Sequence, residues 1–162
     1  MNLREKNRIN LTLDESNIIA YPTIVSAIFV TNQGEYLLQL RDDKIGLPLR
    51  NHWALFGGEV EDGEDEYDAI KREMFEELNF HSNNYQWFHE AIYGFPRLNK
   101  KIVKKIFYEI PITYAEISFM ELYEGAEKKL FKINEIMFLE KISPWDLSTI
   151  LLHARQKTIF PD

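Results

Sequence analysis

Hydrophobic positions along this 162-residue chain change their period from one segment to the next, and each change marks an element. Residues 21–30, YPTIVSAIFV, are β-branched and apolar with almost no interruption, the pattern of a buried strand. Asn32, Gln33 and Gly34 signal a turn, so residues 35–41, EYLLQLR, read as the partner strand of a hairpin. A loop over residues 42–52 then leads to WALF at 53–56, a short strand that ends on Gly57 and Gly58. Beyond an acidic loop, Glu64 opens about fifteen residues without Gly or Pro. This segment is predicted to be a helix: Tyr67, Ile70, Met74 and Leu78 recur at steps of three and four, share one face and should pack on a core, leaving the opposite face acidic. Residues 85–95 and 102–112 read as two strands about a turn at 96–99, and 116–122 and 129–133 as further strands. Ser143, Pro144 and Asp146 supply a cap, a first-turn proline and an acid three after the cap, so a last helix should run to about residue 156. Residues 1–20 are the least patterned. Ile9, Leu11 and Leu13 alternate with polar residues, which suits an edge strand or an N-terminal arm ahead of one domain over residues 21–162.

Composition narrows the functional classes. Hydrophobic content of 45% with 28% charged residues is ordinary for a globular protein, and the length suits one domain. There is no cysteine, which excludes disulfides, thiol catalysis and cysteine-ligated zinc, and is compatible with a reducing cytoplasm. The N-terminus lacks an apolar signal core and no apolar run is long enough to span a bilayer, so a cytoplasmic location without membrane contact is expected.

The charge is unevenly spread. Ten of the 26 acidic residues fall between Glu59 and Glu77 against two basic ones, while the rest of the chain balances to +1, so the formal −7 belongs to one segment. Within it Glu73 and Glu77 lie one helical turn apart with Glu76 beside them. Like charges at that spacing repel by a few tenths of a kcal/mol per pair, roughly, and a hard divalent cation such as Mg²⁺ would offset the repulsion. An acidic helix face alone is usually just solvated. The neighbouring Arg72 and the approach through Gly57 and Gly58 set this one apart.

These residues resemble the signature of the Nudix hydrolase family (MutT-like): a Gly, five residues, a Glu, seven residues, Arg-Glu, an aliphatic, one residue, Glu-Glu, one residue, Gly and an aliphatic. Here the positions are Gly58, Glu64, Arg72, Glu73, Met74, Glu76, Glu77, Asn79 and Phe80. The departure is Asn79, where the family has glycine; that position closes the helix with positive φ, for which Asn is the usual second choice. LLQLRDDK, WALFGG and LYEGAEKKLFKINEI also resemble flanking segments of bacterial members. The resemblance implies an α+β fold, an α/β/α sandwich with a mixed sheet between helices. It also implies Mg²⁺, with Mn²⁺ as a substitute, held by the Gly57 carbonyl, Glu73, Glu76 and Glu77. Arg72 then holds the carboxylates in place, Glu76 shares metal or activates water, and Glu124 is a candidate further ligand or general base. The implied activity is hydrolysis of a nucleoside diphosphate linked to another group, such as a nucleotide sugar or ADP-ribose.

Arg41, Arg97 and Lys101 are the candidate counter-charges for substrate phosphates, the latter two on a basic hairpin that also carries Lys100, Lys104 and Lys105. The partner expected is a small nucleotide-type molecule, with neither nucleic acid nor membrane; a homodimer is compatible with it. Three rival readings fit less well. A non-catalytic sensing or interaction module would typically lose signature carboxylates, and all are present here. RNA decapping wants a basic, aromatic-interleaved platform, which does not stand out. An isomerase of the isopentenyl diphosphate kind needs a cysteine. His52, His81, His89 and His153 are scattered and read as structural or solvated. Trp53, Trp87 and Trp145 read as core, and Pro96 as a turn residue.

Overall fold

The computed structural model describes residues 22–94 and 102–159. The expectations for residues 1–20, and those for Pro96, Arg97, Lys100 and Lys101, lie outside the described residues.

The long apolar runs become β1 (Thr23–Thr31), β2 (Glu35–Leu40) and β5 (Ile102–Ile112), joined by β3 (Trp53–Ala54), β4 (Gln86–Gly94) and β6 (Glu127–Lys132). The sheet is mixed, in the order β3-β2-β1-β5-β4 with β6 also pairing β2. β1 runs parallel to β5 along its whole length, from Thr23 beside Lys104 to Thr31 beside Ile112, which explains why β1 is apolar on both faces. Alternation divides its side chains: Val25, Ala27 and Phe29 join one core with Leu37, Ile106, Tyr108 and Ile110, and Ile28 joins another with Tyr36, Leu38 and Phe107. Helix α1 (Glu66–Leu78) closes the first through Ala69, Ile70, Met74 and Leu78, and α4 (Pro144–Ile159) closes the second through Ile150. Each fully buried Ile, Leu or Met contributes about 1.5–3 kcal/mol relative to exposure. The expected mixed sheet between helices is therefore observed.

Three local expectations are corrected. Residues 116–122 are not a strand: helix α2 (Tyr114–Phe119) starts there, because Thr113 and Glu116 form a reciprocal capping box that a reading by alternation overlooks. The acidic helix starts at Glu66 with Asp65 as its cap, since the Asp65 side chain accepts from the Tyr67 N–H and Glu64 is left in the loop before it. The strand expected over residues 129–133 runs from Glu127 to Lys132, and Ile133 instead opens a short helix α3 (Ile133–Ile136). At the other end of α1, Asn79 sits at φ 51°, ψ 35°, the left-handed conformation expected of it. Its N–H donates to the Phe75 carbonyl, the bond of a left-handed helix cap, and the Phe80 N–H donates to the Met74 carbonyl, so two of the last carbonyls of α1 are satisfied.

One irregularity builds the site. β1 and β2 pair near their turn, with Val30 opposite Tyr36, and then separate. The chain from Trp53 to Val60 enters the opening: Trp53 and Ala54 pair with Leu40 and Gln39 of β2, while Phe56 and Glu59 bridge Ala27 and Ile24 of β1. This wedge carries Gly57 and Gly58 to the edge of α1.

Candidate functional site

The two glycines are required by contact. Gly57 has φ +135°, and a Cβ there would lie 2.0 Å from the Val25 carbonyl oxygen. At Gly58 a Cβ would fall 2.4 Å from a Glu73 carboxylate oxygen, so the missing side chain makes the space that Glu73 occupies. The Phe56 and Gly58 carbonyls accept from Ala27 and Val25 N–H at 2.9 Å, which leaves the Gly57 carbonyl between them as the candidate ligand.

The face of α1 expected to be acidic is in part buried. Glu77 is 5% exposed, because it lies three residues after Met74 and seven after Ile70, on the same face as both. Its carboxylate accepts from the Gly57 N–H at 2.8 Å and from the Gln39 amide at 3.2 Å. Burial pushes its carboxyl up to about 8, against the pull of those two donors and with further upward pressure from Glu73 and Glu124. Burial also raises Glu73, opposed by Arg72 and reinforced by Glu76 and Glu124. Glu76 is the exposed member of the group, its side chain 57% accessible.

Arg72 organises this group. Its guanidinium clasps both oxygens of Glu64 at 2.8 and 2.9 Å, reaches Glu73 at 2.7 Å and Glu76 at 3.2 Å, and donates to the Glu59 carbonyl at 3.0 Å. The bidentate pair holds the Glu64 carboxyl down at about 2. Glu64 thus anchors the arginine, and the arginine restrains Glu73 and Glu76.

Glu124 arrives from a separate segment. Glu121 and Tyr123 donate their N–H groups to the Leu78 and Glu77 carbonyls at 3.0 and 2.9 Å, and Ala126 donates to the Leu40 carbonyl at 2.8 Å. The loop is therefore pinned on both sides of Glu124, across the C-terminal end of α1 and the end of β2, where Glu124 lies within electrostatic reach of Glu73 and Glu77. The other acids of this region are engaged elsewhere: Glu116 caps α2, Glu121 bonds the Tyr123 hydroxyl, and Glu127 is in β6 opposite Leu40.

The donor set is all oxygen, carries repelling charges in a partly dry pocket, and suits a hard divalent cation in kind. Its present geometry is held by other partners: among the described residues no three carboxylates or imidazoles converge as ready-made ligands. Arg41 stands at the end of β2 with its Nε donating to the Pro48 carbonyl at 3.1 Å. The hairpin lysines that are described are committed to carboxylates of this chain, Lys104 to Glu90 and Glu66 and Lys105 to the buried Asp146. The histidines are structural in the sense expected: His81 stacks on Phe75, His89 on Phe107, His52 bonds the Arg50 carbonyl, and His153 joins Tyr36 to Glu109 at 2.9 Å each. Of the tryptophans, Trp53 and Trp145 pack against Phe131 and Tyr93, whereas Trp87 is exposed. A cavity of about 560 Å³ lies at the far end of the hairpin, against α4, but Tyr36, His153 and Glu109 on its wall satisfy one another. Reading by residues missed Gln39; the signal was a lone polar side chain on the buried face of EYLLQL.

Among the described residues no helix is long and apolar enough to cross a membrane. The chain is 47% identical over 113 residues to the nucleoside triphosphatase NudI of Escherichia fergusonii, a match spanning 68% of this chain and 62% of that protein. Its fold is that of the MutT protein from Methanosarcina mazei, with a TM-score of 0.69 at 20% identity over 85% of this chain and 95% of that one. The NUDIX domain of Shewanella oneidensis NrtR, solved with ADP ribose, aligns at the same TM-score of 0.69 with 15% identity over 92% of this chain and 95% of that one. Residues 20–161 match the family described as NUDIX domain, and the chain belongs to that family.

Proposed function

We propose that the protein is a Mg²⁺-dependent pyrophosphohydrolase that cleaves a nucleoside diphosphate linked to another group, releasing a nucleoside monophosphate and a phosphorylated remainder. The observation that carries this reading is the placement of Glu73 and Glu77 beside Gly57 and Gly58: two carboxyl groups raised by burial and by neighbouring acids, with Glu77 2.8 Å from the Gly57 nitrogen. The likeness to a nucleoside triphosphatase supports substrates in which the linked group is itself phosphate.

Glu73, Glu77, the Gly57 carbonyl and Glu76 would hold the cation, with Mn²⁺ as a substitute. When bound, it neutralises charge on the phosphate oxygens and lowers the pKa of the attacking water. Arg72, anchored by Glu64, keeps Glu73 and Glu76 from swinging into solvent when substrate arrives. Glu124, on its pinned loop, accepts the proton as the water oxygen attacks phosphorus and the bond from phosphorus to the bridging oxygen breaks. Arg41 meets the phosphates from the end of β2, with Arg97 and Lys101 as further counter-charges.

The test is a panel of nucleotide sugars, ADP-ribose, dinucleoside polyphosphates and nucleoside triphosphates, assayed with Mg²⁺, with Mn²⁺ and with excess chelator. Turnover of at least one class that chelator abolishes is expected. Equal turnover with and without metal would overturn the reading.

A further inference from the structure

Gln39 is 2% exposed, and β-strand alternation directs its side chain toward α1 together with that of Leu37. Its amide nitrogen donates to the Leu55 carbonyl at 3.3 Å and to Glu77 Oε1 at 3.2 Å. Turning the amide over would set its oxygen against the Leu55 carbonyl, which can only accept, so this orientation follows from that neighbour. Glu77 is thereby held from two sides, by the Gly57 N–H on one oxygen and Gln39 on the other. The amide oxygen of Gln39 faces the loop that carries Glu124. A Cβ on Gly125, which has φ +92°, would come within 3.0 Å of that oxygen and 3.1 Å of the Leu40 carbonyl. One buried amide thus touches the strand that delivers the glycines, the carboxylate of α1 and the turn behind Glu124.

We propose that Gln39 is a positioning residue that sets the Glu77 carboxylate and the Glu124 loop relative to one another, so that ligand and candidate base move as one unit. The proposal rests on the reading of Glu77 as a metal ligand. Loss of a partner that orients a ligand typically lowers metal affinity by about 10–100-fold.

The experiment uses the full chain with Mn²⁺ as probe, its affinity measured by paramagnetic resonance without substrate, beside kcat, KM and a thermal melt. Gln39→Met keeps the length of the side chain and removes both donors. Weakening of Mn²⁺ binding by roughly tenfold or more is expected, with kcat falling and substrate KM nearly unchanged. A residue that served only to fill space would shift the melt and leave Mn²⁺ affinity of the folded protein alone. Should Gln39→Met fail to fold, Gly125→Ala presses on the same amide from the other side and is expected to weaken Mn²⁺ in the same direction. Glu77→Gln separates the two levels. If it binds Mn²⁺ as the parent does, the ligand assignment falls and the proposal with it. If it loses Mn²⁺ while the variant at Gln39 or Gly125 keeps parental affinity, the positioning role alone is overturned.

Discussion

On the α4 face of the sheet Tyr36, His153 and Glu109 form a chain with links of 2.9 Å, and Lys105 meets Asp146 across a pair whose side chains are 11% and 3% exposed. On the α1 face Glu73 and Glu77 are also withdrawn from water, but the groups around them include further carboxylates and one shared arginine. The first face buries polar groups that complete one another. The second buries acidic groups that press on one another and whose compensation is partial. Polar burial that is satisfied internally serves the fold; polar burial left under repulsion costs stability and suits a group that something from outside must complete.

The sharpest way to break this comparison is to disturb each face in turn. Lys105→Met leaves Asp146 charged and buried, and a loss of about 3–5 kcal/mol in denaturant unfolding is expected, with turnover per folded molecule close to the parent's. Adding Asp146→Leu should recover much of it; a single variant as stable as the parent would show that the pair matters little. Glu73→Gln and Glu77→Gln are expected to do the reverse, lowering turnover at least 10²-fold, about 2.7 kcal/mol in the barrier, while thermal melts stay at or above the parent's. Retained turnover in either variant rules out its role as ligand.

A smaller effect separates the acids of the loop. Glu124→Gln should cut kcat by about tenfold with little change in KM, as for a group acting in the transition state, and Glu127→Gln should do less. Steady-state kinetics in which Glu127→Gln is the more damaged enzyme would refute that placement.

The pH dependence follows from Glu77. Its carboxyl sits at about 8 in the folded protein against an ordinary 4.5, so between those values the native state binds more protons than the unfolded chain. Stability of the metal-free protein should then fall as pH rises from about 5 to 8, and Glu77→Gln should flatten that slope. A melt profile that is the same in both proteins would contradict it. The smallest effect is at Asn79, where Val should cost about 1–2 kcal/mol because a β-branched residue resists left-handed backbone, and Gly should be neutral or slightly stabilising. Equal melts for the two would show that the cap conformation is of no consequence.

Much of this protein was legible in residue order because the forces involved are local. The period of YPTIVSAIFV, the steps of Ile70, Met74 and Leu78, the turn at Gly34 and the left-handed cap at Asn79 depend on neighbours within a few residues. So does the spacing of Arg72, Glu73, Glu76 and Glu77 on one helix. The capping box at Thr113 and Glu116 was equally local and was obscured by apolar alternation around it. What residue order did not reveal depends on contacts distant in the chain. Separation of β1 from β2 admits the segment from Trp53 to Val60, brings Gly57 to Glu77 across 20 positions and places Gln39 beneath a carboxylate 38 positions away. Pairing of Lys105 with Asp146, 41 positions apart, removes a cation that looked available for substrate. Burial and electrostatic partners are properties of the packed sheet, and they decide which carboxylates are under tension and which charges are already answered.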